Sequence, residues 1–167
     1  EDKLKNKVTL PKGKWRYFFN DSETFEGPVT FEKEFPLDEY PVFVREGAII
    51  PFDIKRKYTG LGDESSEGFV TWLVYPDHEN SFTVHHPDQS GSTTASVISD
   101  QSEIKVRFEG IHKPHILRIH TDKMPASVKL DGEIIAGSSR IVFDVQAKKL
   151  IIKTAEYSNG EYSVHYK

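Results

Sequence analysis

Cysteine is absent from this chain of 167 residues, which excludes disulfide bonds, thiolate nucleophiles and thiolate metal ligands. Long hydrophobic runs are missing too. Apolar runs such as 48–50 and 150–152 are far shorter than the roughly 20 residues that a membrane-spanning helix needs. Mean hydropathy is −0.53, and 29% of the residues are charged. We therefore expect no membrane span, and the lack of cysteine leaves the cellular compartment open.

Excess charge of one sign is also lacking. The net charge is −4, and residues 1–66 and 67–167 each carry 11 basic and 13 acidic side chains. Without a basic stripe there is nothing to neutralise a phosphate backbone, so we expect no nucleic-acid partner. The chain begins at Glu1 without an initiating Met or an apolar signal segment, as a piece of a longer polypeptide would.

Helical periodicity is scarce, whereas alternation of apolar and polar residues recurs along the chain. Val and Ile number 26 against 14 for Leu plus Ala, a balance that favours strands. In Glu103–Phe108, the apolar residues Ile104, Val106 and Phe108 alternate with basic ones. Asp131-Gly132 between two apolar runs indicates a hairpin with a type I′ turn. These patterns predict an all-β fold of two small antiparallel β-sandwich domains.

One domain boundary is visible where residues 51–68 turn polar and glycine-rich before alternation resumes. We interpret residues 57–68 as a linker. It would join a domain over 1–56 to a second domain over 69–167. The alternative interpretation of the polar stretch is one long loop.

Familiar catalytic patterns are missing: there is no Gly-x-Ser-x-Gly elbow, no phosphate-binding glycine loop and no His-Glu-x-x-His helix. Asp38 and Glu39 lie between Pro36 and Pro41, and this spacing favours a rigid turn over an acid/base pair. His85 and His86, and likewise His115 and His120, would point to opposite faces of a strand and could not converge on one ion. We predict no catalytic residue, no cofactor and no metal site.

The aromatic side chains admit two interpretations. Core packing explains most of them, because alternate positions such as Trp72 and Val74 share one face of a strand. The alternative is a platform on which a sugar ring stacks. The aromatic residues that could form it are Trp15, Tyr17, Tyr58, Trp72 and Tyr75. Of these, we predict Trp72, Tyr58 and Tyr75 as the sugar-stacking residues.

Two segments of the first half resemble a known family. One is Leu10-Pro11-Lys12-Gly13-Lys14-Trp15 with the Phe19–Gly27 stretch that follows it, and the other is Pro36–Pro51, which reads PLDEYPVFVREGAIIP. In this order and spacing they closely resemble the β-sandwich region that follows the catalytic barrel in glycoside hydrolase family 31, which includes α-glucosidases and α-xylosidases. The second half is a weaker match to the distal C-terminal domain of that family, in which Tyr-Glu-Asp-Asp-Gly often follows the segment matched by Ser81–Val84. Here His85–Gly91 takes that place, so any role of the acidic loop is in doubt.

The resemblance implies a parent enzyme that hydrolyses α-linked glycosides with retention, using two carboxylates on a (β/α)₈ barrel. No residue of this chain matches those catalytic positions, and the resemblance implies that the domain over 1–56 lacks its first strands. The resemblance also implies that the barrel is this chain's partner and that residues 1–51 present an apolar patch to it, with Arg45 meeting a carboxylate or carbonyl at a buried interface. The leading hypothesis is therefore a non-catalytic C-terminal portion of an α-glycosidase.

Two other hypotheses remain. One is a carbohydrate-binding module that binds oligosaccharide without the barrel. The other is an immunoglobulin-like spacer without a ligand, a hypothesis that leaves the motifs of the first half unexplained. The sugar and the linkage that a parent enzyme would cleave are not encoded in this chain.

Overall fold

The computed structural model describes residues 3–54, 66–111, 113–135, 141–154 and 160–167. These residues form strands and turns, with no α-helix among them, which confirms the all-β prediction. The strands are β1 (Lys3–Tyr17), β2 (Asn20–Pro36), β3 (Phe43–Arg45), β4 (Ile49–Asp53), β5 (Val70–Val74), β6 (Glu79–His85), β7 (Ser92–Ser99), β8 (Glu103–Gly110), β9 (His115–His120), β10 (Ser127–Leu130), β11 (Glu133–Ile134), β12 (Ile141–Asp144), β13 (Lys149–Thr154) and β14 (Gly160–His165). Within the described ranges, no helix is long and apolar enough to cross a membrane.

The chain divides into two compact units, Glu1–Glu46 and Gly47–Lys167. This division falls before residue 56, where the sequence predicts the end of the first domain, because β4 pairs with β5 of the second unit. Most of the predicted linker, residues 57–68, lies outside the described residues, so the linker stays a prediction.

The first unit is a single antiparallel sheet in the order β2-β1-β3. The long β1–β2 hairpin contains a bulge, since Pro11 and Lys12 lie between the pairs Leu10↔Val29 and Gly13↔Gly27. An added Cβ on Gly27 would lie 2.0 Å from the Pro11 carbonyl oxygen, so only glycine fits opposite the bulge. Part of the first family-like motif therefore builds a distortion in one hairpin.

The second unit is a two-sheet sandwich. One sheet has the order β11-β10-β14-β8-β7-β6, and the other has the order β12-β13-β9-β5-β4. Among the strands that the structure describes in this unit, all pairings are antiparallel except that of β5 with β9, which is parallel. The core contains the buried alternating residues of β8, Ile104, Val106 and Phe108, as their spacing predicts.

The hairpin predicted at Asp131-Gly132 is present. Leu130 pairs with Glu133 across a two-residue loop, and both loop residues have positive φ, 51° and 86°. A type I′ turn requires this conformation at both central positions, which glycine and aspartate tolerate better than most residues.

Candidate functional site

Two of the rings proposed as a sugar platform are buried. Trp72 is 2% exposed and packs against Phe108 with ring centroids 5.4 Å apart. Tyr75 is also 2% exposed and stacks on His120 at 5.5 Å. A sugar stacks on an open ring face, which neither side chain presents, so the structure contradicts the platform at these two positions. Tyr58 lies outside the described residues.

The histidines are spread over different environments. His85 is exposed, whereas His86, His115 and His120 are buried. His115 Nε2 lies 3.0 Å from the Tyr162 hydroxyl, which joins the two sheets of the sandwich within the core. No group of three His, Asp or Glu side chains within the described ranges is placed to hold a metal ion.

A small pocket in the second unit is lined by apolar and polar side chains, among them His86. Thr93 Oγ1 donates to the Ile111 carbonyl oxygen at 2.9 Å, so the 2.7 Å bond between His86 and Thr93 has His86 Nε2 as the donor. Burial, followed by the nearby Lys113 ammonium, holds the pKa of His86 below its ordinary value. The lining residues are Val70, Trp72, His86, Thr93, Phe108, Ile111, Lys113 and His115.

An ion pair closes the loop beside this pocket. Lys113 Nζ lies 2.6 Å from Asp88 Oδ2, and the Ser90 hydroxyl donates to Asp88 Oδ1 at 2.6 Å. The lysine first, and the serine next, hold the pKa of the Asp88 carboxyl well below its usual range. These contacts attach loop 86–91 to the segment before β9. Asp88, the acidic residue of the His85–Gly91 stretch, therefore has a structural role.

The first unit carries an aromatic face on one side of its sheet. Residues at alternate positions of β2 lie on this side, while their neighbours are exposed. Phe25 and Phe31 are stacked with centroids 4.5 Å apart, and Phe43 meets both edge-on at 5.4 and 5.9 Å. These three rings are only half-buried. We call Tyr17, Phe25, Phe31, Phe35 and Phe43 the aromatic face.

A proline-bounded loop beside this face exposes further apolar side chains. Leu37 is 63% exposed, Tyr40 is 78% exposed and Val42 is 40% exposed. Glu39, from the same loop, accepts a short hydrogen bond from the Tyr17 hydroxyl, which ties the loop to the sheet. Burial, together with this bond, raises the pKa of Tyr17 above its usual range. We call residues Leu37–Val42 the apolar loop.

Sequence reasoning expected an apolar patch on residues 1–51 but did not single out Leu37 and Tyr40. The signal that could have found them is the pair of prolines, Pro36 and Pro41. They hold a short turn whose apolar side chains cannot all fold back onto the sheet. Arg45, expected to make a buried bond, is exposed in this chain and lies against Gly13.

The fold therefore defines this chain as a β-sandwich preceded by a single aromatic-faced sheet. Residues 1–50 match the sequence model described as the Glycosyl hydrolase family 31 C-terminal domain, which confirms the resemblance carried by the two motifs. No curated protein matches the chain in sequence.

Solved structures of several enzymes, including two of family 31, have the same fold. The family 31 dextranase of Flavobacterium johnsoniae, in complex with isomaltotriose, matches at 22% identity with a TM-score of 0.75, over 96% of this chain and 24% of that one. The cycloalternan-forming enzyme of Listeria monocytogenes matches at 20% identity with a TM-score of 0.81, over 96% and 17%. The α-xylosidase of Xanthomonas citri matches at 18% identity with a TM-score of 0.56, over 98% and 17%. This chain thus spans about a fifth of the enzymes that it resembles.

Proposed function

We propose that this chain is the non-catalytic C-terminal portion of a retaining α-glycosidase, in which it covers and stabilises the catalytic (β/α)₈ barrel. The observation that carries the proposal is the aromatic face and apolar loop within the segment that matches the family. A sheet with one apolar side is stable when another layer covers that side. The half-buried Phe25, Phe31 and Phe43 and the exposed side chains of the apolar loop form the kind of apolar surface that marks a missing partner.

The exposed side chains of the apolar loop can contribute binding free energy. Full burial of a leucine or an aromatic side chain is worth about 1.5–3 kcal/mol. Leu37 and Tyr40 are mostly exposed and the backbone between them is fixed, with Glu39 N donating to the Pro36 carbonyl at 3.2 Å. A rigid loop loses little conformational entropy on binding, so it suits a permanent contact between domains.

Chemistry on the glycoside belongs to the barrel in this proposal, and this chain supplies none. We expect the purified chain to leave chromogenic α-glucosides and α-xylosides unchanged. Hydrolysis that follows the chain through purification and disappears in a preparation lacking it would contradict the proposal. The coding sequence upstream of Glu1 is a second check: we expect an in-frame barrel with an aspartate nucleophile, and a start codon close to Glu1 would count against it.

The barrel contact is tested by mixing the chain with the separately expressed barrel and measuring affinity by calorimetry. We expect Leu37→Lys and Tyr40→Lys to weaken binding about tenfold or more, since a charge would replace a buried apolar group. Met124→Lys is the matched control, because Met124 is 74% exposed in the second unit. Equal effects of Tyr40→Lys and Met124→Lys would show that the apolar loop does not touch the barrel.

A further inference from the structure

Strand β6 is the open edge of the six-stranded sheet. It pairs with β7 on one side, from Glu79↔Ile98 to His85↔Ser92, and no strand in the described part of the chain pairs with its other side. Every residue of β6 except Val84 is exposed. The Asn80 side chain lies against Gly47, so the segment leading into β4 approaches β6 without pairing with it. An unpaired edge of this length is a template for adding another strand.

The hydrogen bonds at the two ends of β6 show which of its backbone N–H and C=O groups point away from β7. Ser99 N donates to the His78 carbonyl, and His86 N donates to the Gly91 carbonyl, so the even-numbered residues bond toward β7. The β6–β7 pairing has no register shift between Glu79 and His85. In an antiparallel pair, successive residues alternate in direction. The N–H and C=O groups of Glu79, Ser81, Thr83 and His85 therefore point to the open side.

The usual protections of an exposed edge are missing. Natural edge strands carry lysine, proline or a bulge that discourages pairing with another chain. The β6 sequence ENSFTVH has no lysine, arginine or proline, and its pairing shows no register shift. Its central side chain, Phe82, is 44% exposed although its cross-strand partner Ala95 is fully buried.

We propose that β6 pairs antiparallel with β6 of a second copy of this chain, centred on Phe82, so that two six-stranded sheets become continuous. In this register Glu79 lies opposite His85 of the other copy, and Ser81 lies opposite its Thr83. All of these residues have outward backbone groups, as hydrogen-bonded pairs require. Phe82 meets its own copy across the two-fold axis, in the closer, non-hydrogen-bonded type of pair.

The side chains of this register are self-complementary. A carboxylate faces an imidazole at both ends, hydroxyls face each other between them, and the two phenylalanine rings cover one another at the centre. A two-fold interface needs this property, because each residue must suit its partner in both directions. A shift of the centre to Ser81 or Thr83 leaves fewer outward groups paired and separates Glu79 from His85.

Sedimentation equilibrium of the whole chain over a concentration series tests the proposal. We expect the weight-average mass to rise from 19.1 kDa toward twice that value. Thr83→Pro removes an outward N–H and leaves the backbone hydrogen bonds to β7 in place, so we expect it to remain at 19.1 kDa. Thr83→Val, which keeps the N–H and also loses the Thr83–Thr94 hydroxyl contact, is the matched control and should dimerise.

A second pair of variants decides the question if Thr83→Pro does not fold by circular dichroism. Ser81→Lys places a charge on the edge, and Ser96→Lys places the same charge on the neighbouring strand, directly across the β6–β7 pair. We expect only Ser81→Lys to abolish the dimer. A wild-type chain of 19.1 kDa at all concentrations would overturn the proposal. So would a dimer that persists in Ser81→Lys or in folded Thr83→Pro, since it would use another surface such as the aromatic face.

Discussion

At the scale of single residues, the hydrogen-bonded chain from His86 through Thr93 to the Ile111 carbonyl is the best-defined polar feature of the second unit. It requires His86 to carry its proton on Nε2, because Thr93 has only one hydroxyl hydrogen and gives it to Ile111. A second proton on His86 would charge a buried ring beside Lys113. Burial and the neighbouring ammonium therefore favour the neutral form of His86, with its pKa below the ordinary value.

His86 should make the stability of the second unit depend on pH. Its folded-state pKa lies below the ordinary value of 6.5, so the unfolded state binds more protons once the pH falls below 6.5. The free energy of unfolding then decreases as the pH falls from above 6.5 toward the lowered folded-state pKa. We expect a larger drop in Tm between about pH 7.5 and 5.5 for the wild type than for His86→Gln.

Glutamine is the informative substitution at this position, since its amide can still donate to Thr93 but does not titrate. Asp88 and His85 also lie near His86, and both remain in the variant, so the comparison isolates the one imidazole. Parallel Tm profiles for the two proteins would show that His86 does not carry this dependence.

At the scale of elements, the long hairpin of β1 and β2 depends on the fit of its two strands at the bulge. The Pro11 carbonyl accepts the Trp15 indole N–H at 2.9 Å, and the same oxygen occupies the space where a Cβ on residue 27 would be. An added Cβ on residue 27 would clash with backbone atoms of Leu10 and Pro11, so no side-chain movement could relieve the clash.

Gly27→Ala should therefore destabilise the first unit by about 2 kcal/mol or more, as overpacking does in well-packed sites. The measurement is the urea midpoint followed by the fluorescence of Trp15, which lies in the same hairpin. Thr24→Ala, at an exposed position of the same strand, is the control and should change stability by less than about 1 kcal/mol. An unchanged midpoint for Gly27→Ala would mean that the hairpin is free to open at the bulge.

At the scale of the whole molecule, the two units differ in how completely their apolar surfaces are covered. The second unit encloses its core between two sheets, whereas the first has one sheet with half-buried rings. Burial of apolar area is the main favourable term in folding. The first unit should therefore be the less stable of the two.

The two tryptophans provide a test, since Trp15 lies in the first unit and Trp72 in the second. We expect wild-type fluorescence to show an early transition in urea that is missing in Trp15→Phe, which retains only the later transition of Trp72. A single transition at the same urea concentration in both proteins would show that the units unfold together.

Much of the fold could be predicted from the sequence, because strand alternation and turn chemistry are local. The period-two pattern of β8, the Asp131-Gly132 turn and the all-β class follow from neighbouring residues alone, and the two motifs resemble the family whose sequence model matches residues 1–50. Steric limits on φ and the alternation of side chains act within a few residues, so they are readable in one dimension.

Tertiary structure alone decided which of these residues are accessible. Trp72 and Tyr75 are suitable for sugar stacking by residue type, yet Trp72 is enclosed between two sheets and Tyr75 is buried directly after β5, a strand buried on both faces. Leu37 and Tyr40 look like ordinary apolar residues, yet their turn leaves them exposed. Burial depends on strands far apart in sequence, such as the parallel pair β5 and β9. The pattern of one strand specifies which residues share a face, and only the assembled sheets determine whether that face is covered.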